Sequence, residues 1–336
     1  MSGPQSGPYS PSTPSPSVET HLASQDLREA MESDVRAGLT ADDKWLPPVW
    51  FYDDRGSALF DRITRLPEYY QTRAERALLD SQAPEIAARA KADTLVELGA
   101  GTCEKSRVLL DAMRQTGILE RYVPLDVSDG TLRAAAASLA ADYPEISIHA
   151  VVGDFHHHLE LLPPDGRRMV AFLGGTIGNL TPTERSTFLF NLDCVLATGD
   201  SLLLGADLVK DEAKLVAAYD DQSGVTAEFN RNVLRVLNRE LDANFNVDAF
   251  DHVALWNEEE AWIEMRLRSR IGQRVGFPTM DLEVEFAAGE DLRTEISAKF
   301  TKDGLEAELW ASGFVVDAMW DQPGGEFLLT LARPYC

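Results

Sequence analysis

Between Asp93 and Val209 the chain repeats one pattern: a short apolar run, often β-branched, that stops at Gly or Asp and gives way to a stretch of helical periodicity. The runs are DTLVELGAG, YVPLDVSD, ISIHAVVGDF, RMVAFLGGTIGN and DSLLLGADLV, and the helical stretches include EKSRVLLDAMRQTG, DGTLRAAAASLAADYP and TERSTFLFNLDCVLATG. Runs of four to eight mostly apolar residues suit strands buried on both faces. Strand–helix–strand repetition joins such strands by right-handed crossovers, so the sheet is parallel and covered by helices on both sides. The fold class is therefore α/β and doubly wound, and ligands are expected at the carboxyl ends of its strands.

The flanks differ. Residues 1–20 hold 13 Ser, Pro or Gly, too little apolar area to offset chain entropy, and are expected to be a disordered tail. Residues 21–73 read as helices broken at Pro47, Pro48 and Pro67 and are assigned to the amino-terminal part of a second domain. The α/β unit takes 74–209. Residues 210–298 begin with a long helical segment, DEAKLVAAYDDQSGVTAEFNRNVLRVLNRELD, and pass into AWIEMRLRSR and MDLEVEFAAG, whose alternation predicts antiparallel strands with one wet face. This is an inserted α+β domain. Residues 299–336 supply a helix, TKDGLEAELWASG, and two last strands, FVVDAMWD and GEFLLTLARP, that return to the α/β unit. Seven strands, the last two after an insertion, suit a class I methyltransferase sheet better than a dehydrogenase sheet.

Charge and cysteine content narrow the partners. Lys and Arg number 31 against 55 Asp and Glu, a net charge of −24, which disfavours nucleic acid, since phosphate binding depends on cationic residues. Cys103, Cys194 and Cys336 are too few and too scattered for a disulfide framework, so a cytoplasmic home is expected. No run reaches the ~18 apolar residues of a membrane helix, and no signal-peptide order is present, so no membrane association is expected.

The sharpest local signal is VELGAGTCEKSR, Val96 to Arg107, where a strand ends in Gly99 and Gly101 and a helix follows at once. The glycines allow backbone to approach a ligand. Glu104 occupies the position at which a dinucleotide fingerprint needs its third glycine, and a carboxylate there opposes pyrophosphate. Asp126 ends the second strand 25 residues after Gly101 and suits a pair of ribose hydroxyls. Asp154 and Phe155 end the third and offer an acceptor and a ring to adenine. Lys105 places a cation where a methionyl carboxylate would lie. The set fits S-adenosylmethionine. At the fourth strand end, GGTIGN supplies Thr176 and Asn179, small uncharged groups for an in-line methyl transfer to an unprotonated amine, a reaction that needs positioning and dehydration rather than a protein nucleophile.

Other signals carry less. His156, His157 and His158 are consecutive, so their rings diverge on helix or strand and no metal is expected. Nothing around Cys103 lowers a thiol pKa, so packing is its expected role.

These residues, with DVRAGLT, LPPVWFYDDRGSALFDRITRLPEYY, ELGAGTCEK, FLGGTIGNL, LLGADLVKD, YDDQSGVTAEFNRNVL and TEIS, make the chain resemble the histidine-specific Nα-methyltransferases that form hercynine for ergothioneine biosynthesis. The resemblance spans roughly Asp34 to Ala332. It implies S-adenosylmethionine as methyl donor, no metal, L-histidine as the small-molecule substrate, three successive methyl transfers to its α-amine, and a monomer. It carries Gly99, Lys105, Asp126, Asp154 and Phe155 over as cofactor residues. Tyr69, Asn179, Tyr219, Glu295, Ile296 and Ser297 become substrate residues, and Tyr52, Asn179 and Thr176 the catalytic set beside the amine. Glu295 and Ser297 are expected to read the two imidazole nitrogens, one as donor and one as acceptor. Gln71 departs from the proline usual in that family and is expected to loosen the loop that holds Tyr69; Ala100 and Cys103 replace serines near the cofactor glycines.

Overall fold

A computed structural model describes residues 16–22, 24–322 and 324–335. In chain order it comprises β1 (Ser17–Thr20), α1 (Ser24–Leu39), α2 (Asp54–Ile63), α3 (Gln71–Ala90), β2 (Thr94–Leu98), α4 (Ser106–Gln115), β3 (Arg121–Asp126), α5 (Asp129–Asp142), β4 (Ser147–Val152), β5 (Arg168–Phe172), α6 (Pro182–Val195) and β6 (Ser201–Asp207). There follow α7 (Glu212–Tyr219), α8 (Val225–Glu240), β7 (Phe250–Asn257), β8 (Trp262–Ser269), β9 (Gln273–Phe277), β10 (Leu282–Phe286), β11 (Asp291–Ala298), α9 (Lys302–Ala311), β12 (Phe314–Asp321) and β13 (Phe327–Pro334).

The main sheet runs β1-β4-β3-β2-β5-β6-β13-β12. Its first six strands pair in parallel, and β13 joins β6 and β12 antiparallel. Strands β2, β5 and β6 are buried at every residue, and their interiors are apolar apart from Glu97 in β2. The strand order reverses between β2 and β5, and that switch point opens the crevice in which such sheets bind ligands. The expected seven strands are present with one more. Ser17–Thr20 pair with His149–Val152 as an added edge, which corrects the expectation of a disordered tail to Thr20; the rest of that expectation, residues 1–15, lies outside the described residues. The long helical segment after Lys210 also divides. Asp221 accepts from the backbone N–H groups of Val225 (3.0 Å) and Thr226 (2.7 Å) and thus caps α8, while Gly224 takes the left-handed conformation, φ 72°.

Between β6 and α9 stand a three-stranded sheet, β11-β8-β7, and the hairpin β9-β10. Helix α8 packs on β7 and β8 and also on α2 and the 3-10 turn Pro48–Phe51, so the amino-terminal helices and the insertion form one lobe. Two backbone bonds tie the amino-terminal segment to β11: Leu46 N–H to Arg293 O and Arg293 N–H to Lys44 O, both 2.9 Å. They bring the Tyr52 turn to the strand that carries Glu295.

At the end of the sheet away from the crevice, Arg168 and Asp200 form a buried ion pair (Nε–Oδ2 2.8 Å) with side chains 3% and 2% exposed. Arg168 also donates to the carbonyls of Val195 and Pro163. Removal of one partner of such a pair costs about 3–5 kcal/mol because the other charge stays buried. Arg168→Ala is expected to lose at least about 3 kcal/mol in urea unfolding while the protein that remains folded keeps its affinity for ligands. A loss under about 1 kcal/mol would show that Asp200 is satisfied by backbone alone.

Candidate active site

The crevice floor is the loop after β2. Gly99 and Gly101 have φ of 69° and 53°, and a Cβ added to either would meet no atom within 4 Å. Their side of the loop is open space, as a ligand cradle requires. Asp126, at the tip of β3, accepts from Gly101 N–H (2.8 Å) on one oxygen and Ser128 N–H (2.9 Å) on the other. Burial raises its carboxyl above the ordinary value although these backbone donors oppose the shift. Each oxygen keeps a lone pair for a ligand hydroxyl.

After β4, Asp154 accepts from His156 N–H (2.9 Å) and faces His157 Nδ1 (3.1 Å). Phe155 packs edge-on against Phe172 and Phe188 at 5.1 and 5.7 Å. The three histidine rings diverge: His156 lies 4.4 Å from Phe155, His157 meets the Asp154 carboxylate, and His158 meets the Asp154 backbone. Cys103 is buried, and burial pushes its thiol up to about 12, which makes it a packing residue rather than a nucleophile.

Lys105 stands where the β2 and β5 ends meet. It pairs with the buried carboxylate of Glu75 at 2.5 Å, and the second Glu75 oxygen accepts Gly174 N–H at 2.6 Å. Glu75, on α3, thereby links the lysine to the glycine turn after β5. Gly205 leaves room beneath it, since a Cβ there would crowd the Glu75 Oε1 that holds Gly174 N–H. Glu97 is also buried, bonded by Ser106 and by Tyr122 OH (2.6 Å); desolvation pushes it up to about 6 against those bonds.

In the turn Thr176–Asn179, Thr176 donates to Leu173 O (2.9 Å). The Asn179 amide donates to Glu295 Oε1 (3.1 Å) and to Ile296 O (2.8 Å). The neighbouring Gly178 permits this approach, since a Cβ there would sit 2.8 Å from Ala298 O. Glu295 reaches the crevice through a β-bulge: the β11–β8 register shifts between Arg293 and Glu295. Thr294, the extra residue, is buried and donates to Asn230 Oδ1 and Met265 O. Bulges re-aim side chains in this way. Burial pushes Glu295 up to about 7, opposed by the Asn179 bond and the charge of Lys299. Ile296, between Glu295 and Ser297, is 6% exposed and packs in the hydrophobic core, so its carbonyl rather than its side chain faces the turn.

Tyr69 and Tyr219 are buried, with ring centroids 6.2 Å apart. Tyr52 packs edge-on against Phe60 and Phe229 at 5.7 and 5.6 Å. It is 37% exposed over the whole residue, yet its hydroxyl end is enclosed. Burial first, then the charges of Glu295 and Asp126, hold the phenol well above its ordinary value. Tyr52 thus lies within electrostatic reach of both the β3 carboxylate and the inserted strand.

Behind these groups is a network that sequence reasoning did not find. Lys299, side chain fully buried, donates to Tyr219 Oη (2.9 Å) and Ser297 Oγ (2.8 Å) and pairs with Asp207 (3.0 Å). Asp207 also accepts from Tyr70 (2.8 Å) and Lys210 (2.5 Å). Gln71 opens α3 beside them, 4% exposed; its carboxamide lies against Tyr219 with neither amide atom in hydrogen-bonding geometry. It sits in a helix first turn, so the expected loosening of the Tyr69 loop finds no support in its backbone. Among the described residues no cluster of His, Cys, Asp or Glu is arranged to hold a metal ion, and no helix is long and apolar enough to cross a membrane.

Comparison with known proteins gives a consistent result. A family model described as "Histidine-specific methyltransferase, SAM-dependent" matches residues 31–334. The chain is 57% identical to a histidine N-alpha-methyltransferase of Mycolicibacterium smegmatis, covering 94% of this chain and 98% of that one. It is 54% identical to the protein of the same name in Mycobacterium tuberculosis, with the same coverage. It is also 34% identical to ergothioneine biosynthesis protein 1 of Neurospora crassa, over 57% of this chain and 22% of the fungal protein.

Proposed function

Because the chain belongs to the histidine-specific, S-adenosylmethionine-dependent methyltransferases, we propose that it converts L-histidine to the trimethylated betaine hercynine through the residues gathered at the sheet edge. It is an S-adenosylmethionine-dependent enzyme that methylates histidine in ergothioneine biosynthesis. The crevice fits the methyl donor: open glycine backbone at Gly99 and Gly101, and a carboxylate with lone pairs to spare at Asp126. When bound, the donor supplies an electrophilic methyl group on a sulfonium. Asp126 holds the ribose hydroxyls, Asp154 and Phe155 the adenine, and Lys105 the methionyl carboxylate.

On the substrate side, Glu295 and Ser297 read the imidazole, Tyr69 walls the pocket, and Tyr219 and Asn179 hold the α-carbon end. Both Asn179 N–H donors go to Glu295 and the Ile296 carbonyl. Only its carbonyl oxygen is left to offer, an acceptor suited to the amine N–H rather than to the carboxylate. That contact aims the nitrogen lone pair. Each transfer uses the amine after its proton has left to solvent. In this reading the Tyr52 phenol, which burial keeps protonated, accepts an amine N–H on its oxygen so that the nitrogen lone pair stays free, and Thr176 belongs to the same catalytic set. As the nitrogen becomes quaternary, the Tyr52 ring gives about 0.5–2 kcal/mol of cation–π attraction, enough to bias the later transfers but not to drive them.

The observation that most supports this reading is the Asn179–Glu295 bond, which joins the strand end where methyl transfer is expected to an acidic group from the inserted lobe. We infer that it acts as a monomer, which native mass spectrometry would test. Cys103 and Cys194 are unpaired, in keeping with the cytoplasm. The test is to mix the protein and S-adenosylmethionine with each amino acid and weigh the products. Histidine is expected to gain three methyl groups and the others none; exclusive methylation of another amino acid would overturn the substrate assignment.

A further inference from the structure

Lys299 is a fully buried lysine for which the chemistry above has no direct use. It follows β11, two residues beyond Ser297, and its three N–H donors have three acceptors: Tyr219 Oη, Ser297 Oγ and Asp207 Oδ2. Paired with Asp207 as an ammonium, it donates only. Both hydroxyl oxygens must therefore accept from it. Tyr219 OH in turn donates to Ser297 Oγ at 2.7 Å, so that oxygen accepts two bonds and its lone pairs are filled. The Ser297 hydrogen is left over. It finds no acceptor within this cluster, and Ser297 lies on the same face of β11 as Glu295. In the direction found, Ser297 therefore presents one donor and no acceptor, and the one lone pair left in the cluster is on Tyr219 Oη.

We propose that Lys299 is a positioning residue that fixes the Tyr219–Ser297 pair as a hydrogen-bond donor toward the substrate ring, opposite Glu295 as the acceptor. The site then selects a ring with one N–H and one nitrogen lone pair, that is, a neutral imidazole held in one tautomer. This deepens, and rests on, the reading that Glu295 and Ser297 face the imidazole. A buried polar pair left unmatched by a ligand costs far more than a missing methylene, so such polarity is a strong filter. The charged and titratable groups around the lysine are Asp207 on β6, Lys210 beyond it, Tyr70 ahead of α3, Tyr219 on α7 and Glu295 on β11. Asp207 keeps Tyr70 and Lys210 as donors when Lys299 is removed, so Lys299→Met orphans no carboxylate.

The experiment compares wild type, Lys299→Met, Ser297→Ala and the double variant. The readouts are the KM for histidine, the KM for S-adenosylmethionine, and the Ki of a pyrrole amino acid, whose ring donates but cannot accept. Lys299→Met and Ser297→Ala are each expected to raise the histidine KM by about tenfold or more, the order of one buried hydrogen bond. The cofactor KM and the pyrrole Ki are expected to stay within about twofold, and the double variant to match Ser297→Ala. Equal weakening of histidine and the pyrrole ring, or multiplying penalties in the double variant, would overturn the role of Lys299. If Ser297→Ala leaves the histidine KM unchanged, the placement of the imidazole itself is wrong and the proposal falls with it. Should Lys299→Met fail to fold, Tyr219→Phe disturbs no charge and frees one Ser297 lone pair. It is expected to narrow the preference for histidine over the pyrrole ring, and an unchanged ratio would overturn the proposal.

Discussion

Glu295→Ala is expected to lower kcat/KM for histidine by about a hundredfold, with the KM for S-adenosylmethionine little changed. A hydrogen bond to a charged acceptor is worth about 1.5–3 kcal/mol, and each 1.4 kcal/mol is a factor of about ten. The residue also fixes Asn179, which would keep only the Ile296 carbonyl as partner. The pH dependence follows from the same carboxylate. Burial pushes Glu295 up to about 7, so below that pH it is protonated and a poorer acceptor for an imidazole N–H. The histidine KM of the wild type is expected to fall as pH rises through about 7, a step that Glu295→Gln removes. Deprotonation of the substrate amine accelerates both proteins alike, so their ratio isolates Glu295. For stability the sign is opposite. A carboxyl raised in the folded state contributes stability that is full below its unfolded value, near 4.5, and is lost as pH rises through about 7. Wild type is therefore expected to lose thermal stability relative to Glu295→Gln between those limits. A histidine KM within threefold of wild type in Glu295→Ala would remove this residue from the pocket.

The parallel sheet and its ligand edge were legible because burial on both faces leaves a clear mark: apart from Glu97 in β2 the interiors of β2, β5 and β6 are apolar, and the glycine turns that follow β2 and β5 line the crevice. Asp126 was visible as the carboxylate that ends β3. Glu295 was reached only through resemblance. Strand alternation by itself does not predict its orientation, because the bulge at Thr294 shifts the β11 register and is held by Asn230, 64 residues earlier. Glu75 was invisible for a related reason. It lies on a helix face whose other residues look like an ordinary apolar stripe, and only the fold brings it to Lys105 and Gly174. Lys299 and Asp207 were not singled out, because nothing local says that each is the other's partner. The strand Ser17–Thr20 was missed because the Pro-rich composition before it masks a short segment that pairs with β4. Gln71 was read as a loop perturbation, whereas the chain turns helical at that residue and its amide is carried inward against Tyr219. Long-range pairing of polar groups leaves no periodic trace, and it is what separates the scaffold, which can be read, from the site, which is read only in part.

Asp126→Ala is expected to weaken binding of S-adenosylmethionine, or of its demethylated product, by about a hundredfold in calorimetry. Two bonds from hydroxyls to a charged acceptor account for that magnitude at about 1.5 kcal/mol each. The carboxylate has a second task, since its oxygens also hold the Gly101 and Ser128 amides; the glycine loop loses an anchor when it is removed. Asp126→Asn separates the two contributions. The asparagine keeps the volume but turns one acceptor into a donor, and both original oxygens face backbone N–H groups, so one of those contacts becomes donor against donor. Asn is therefore expected to bind no better than Ala, although an amide can in principle pair with a ribose hydroxyl. Histidine KM at saturating cofactor should stay within about threefold in both variants, because Asp126 lies at the β3 end while the substrate groups lie on β11, α7 and the turn after β5. Near-normal cofactor affinity in Asp126→Ala would mean that the carboxylate only braces the loop and that the ribose is held elsewhere. Near-normal affinity in Asp126→Asn with a large loss in Asp126→Ala would instead show that volume and neutral hydrogen bonding suffice, and that its charge is incidental.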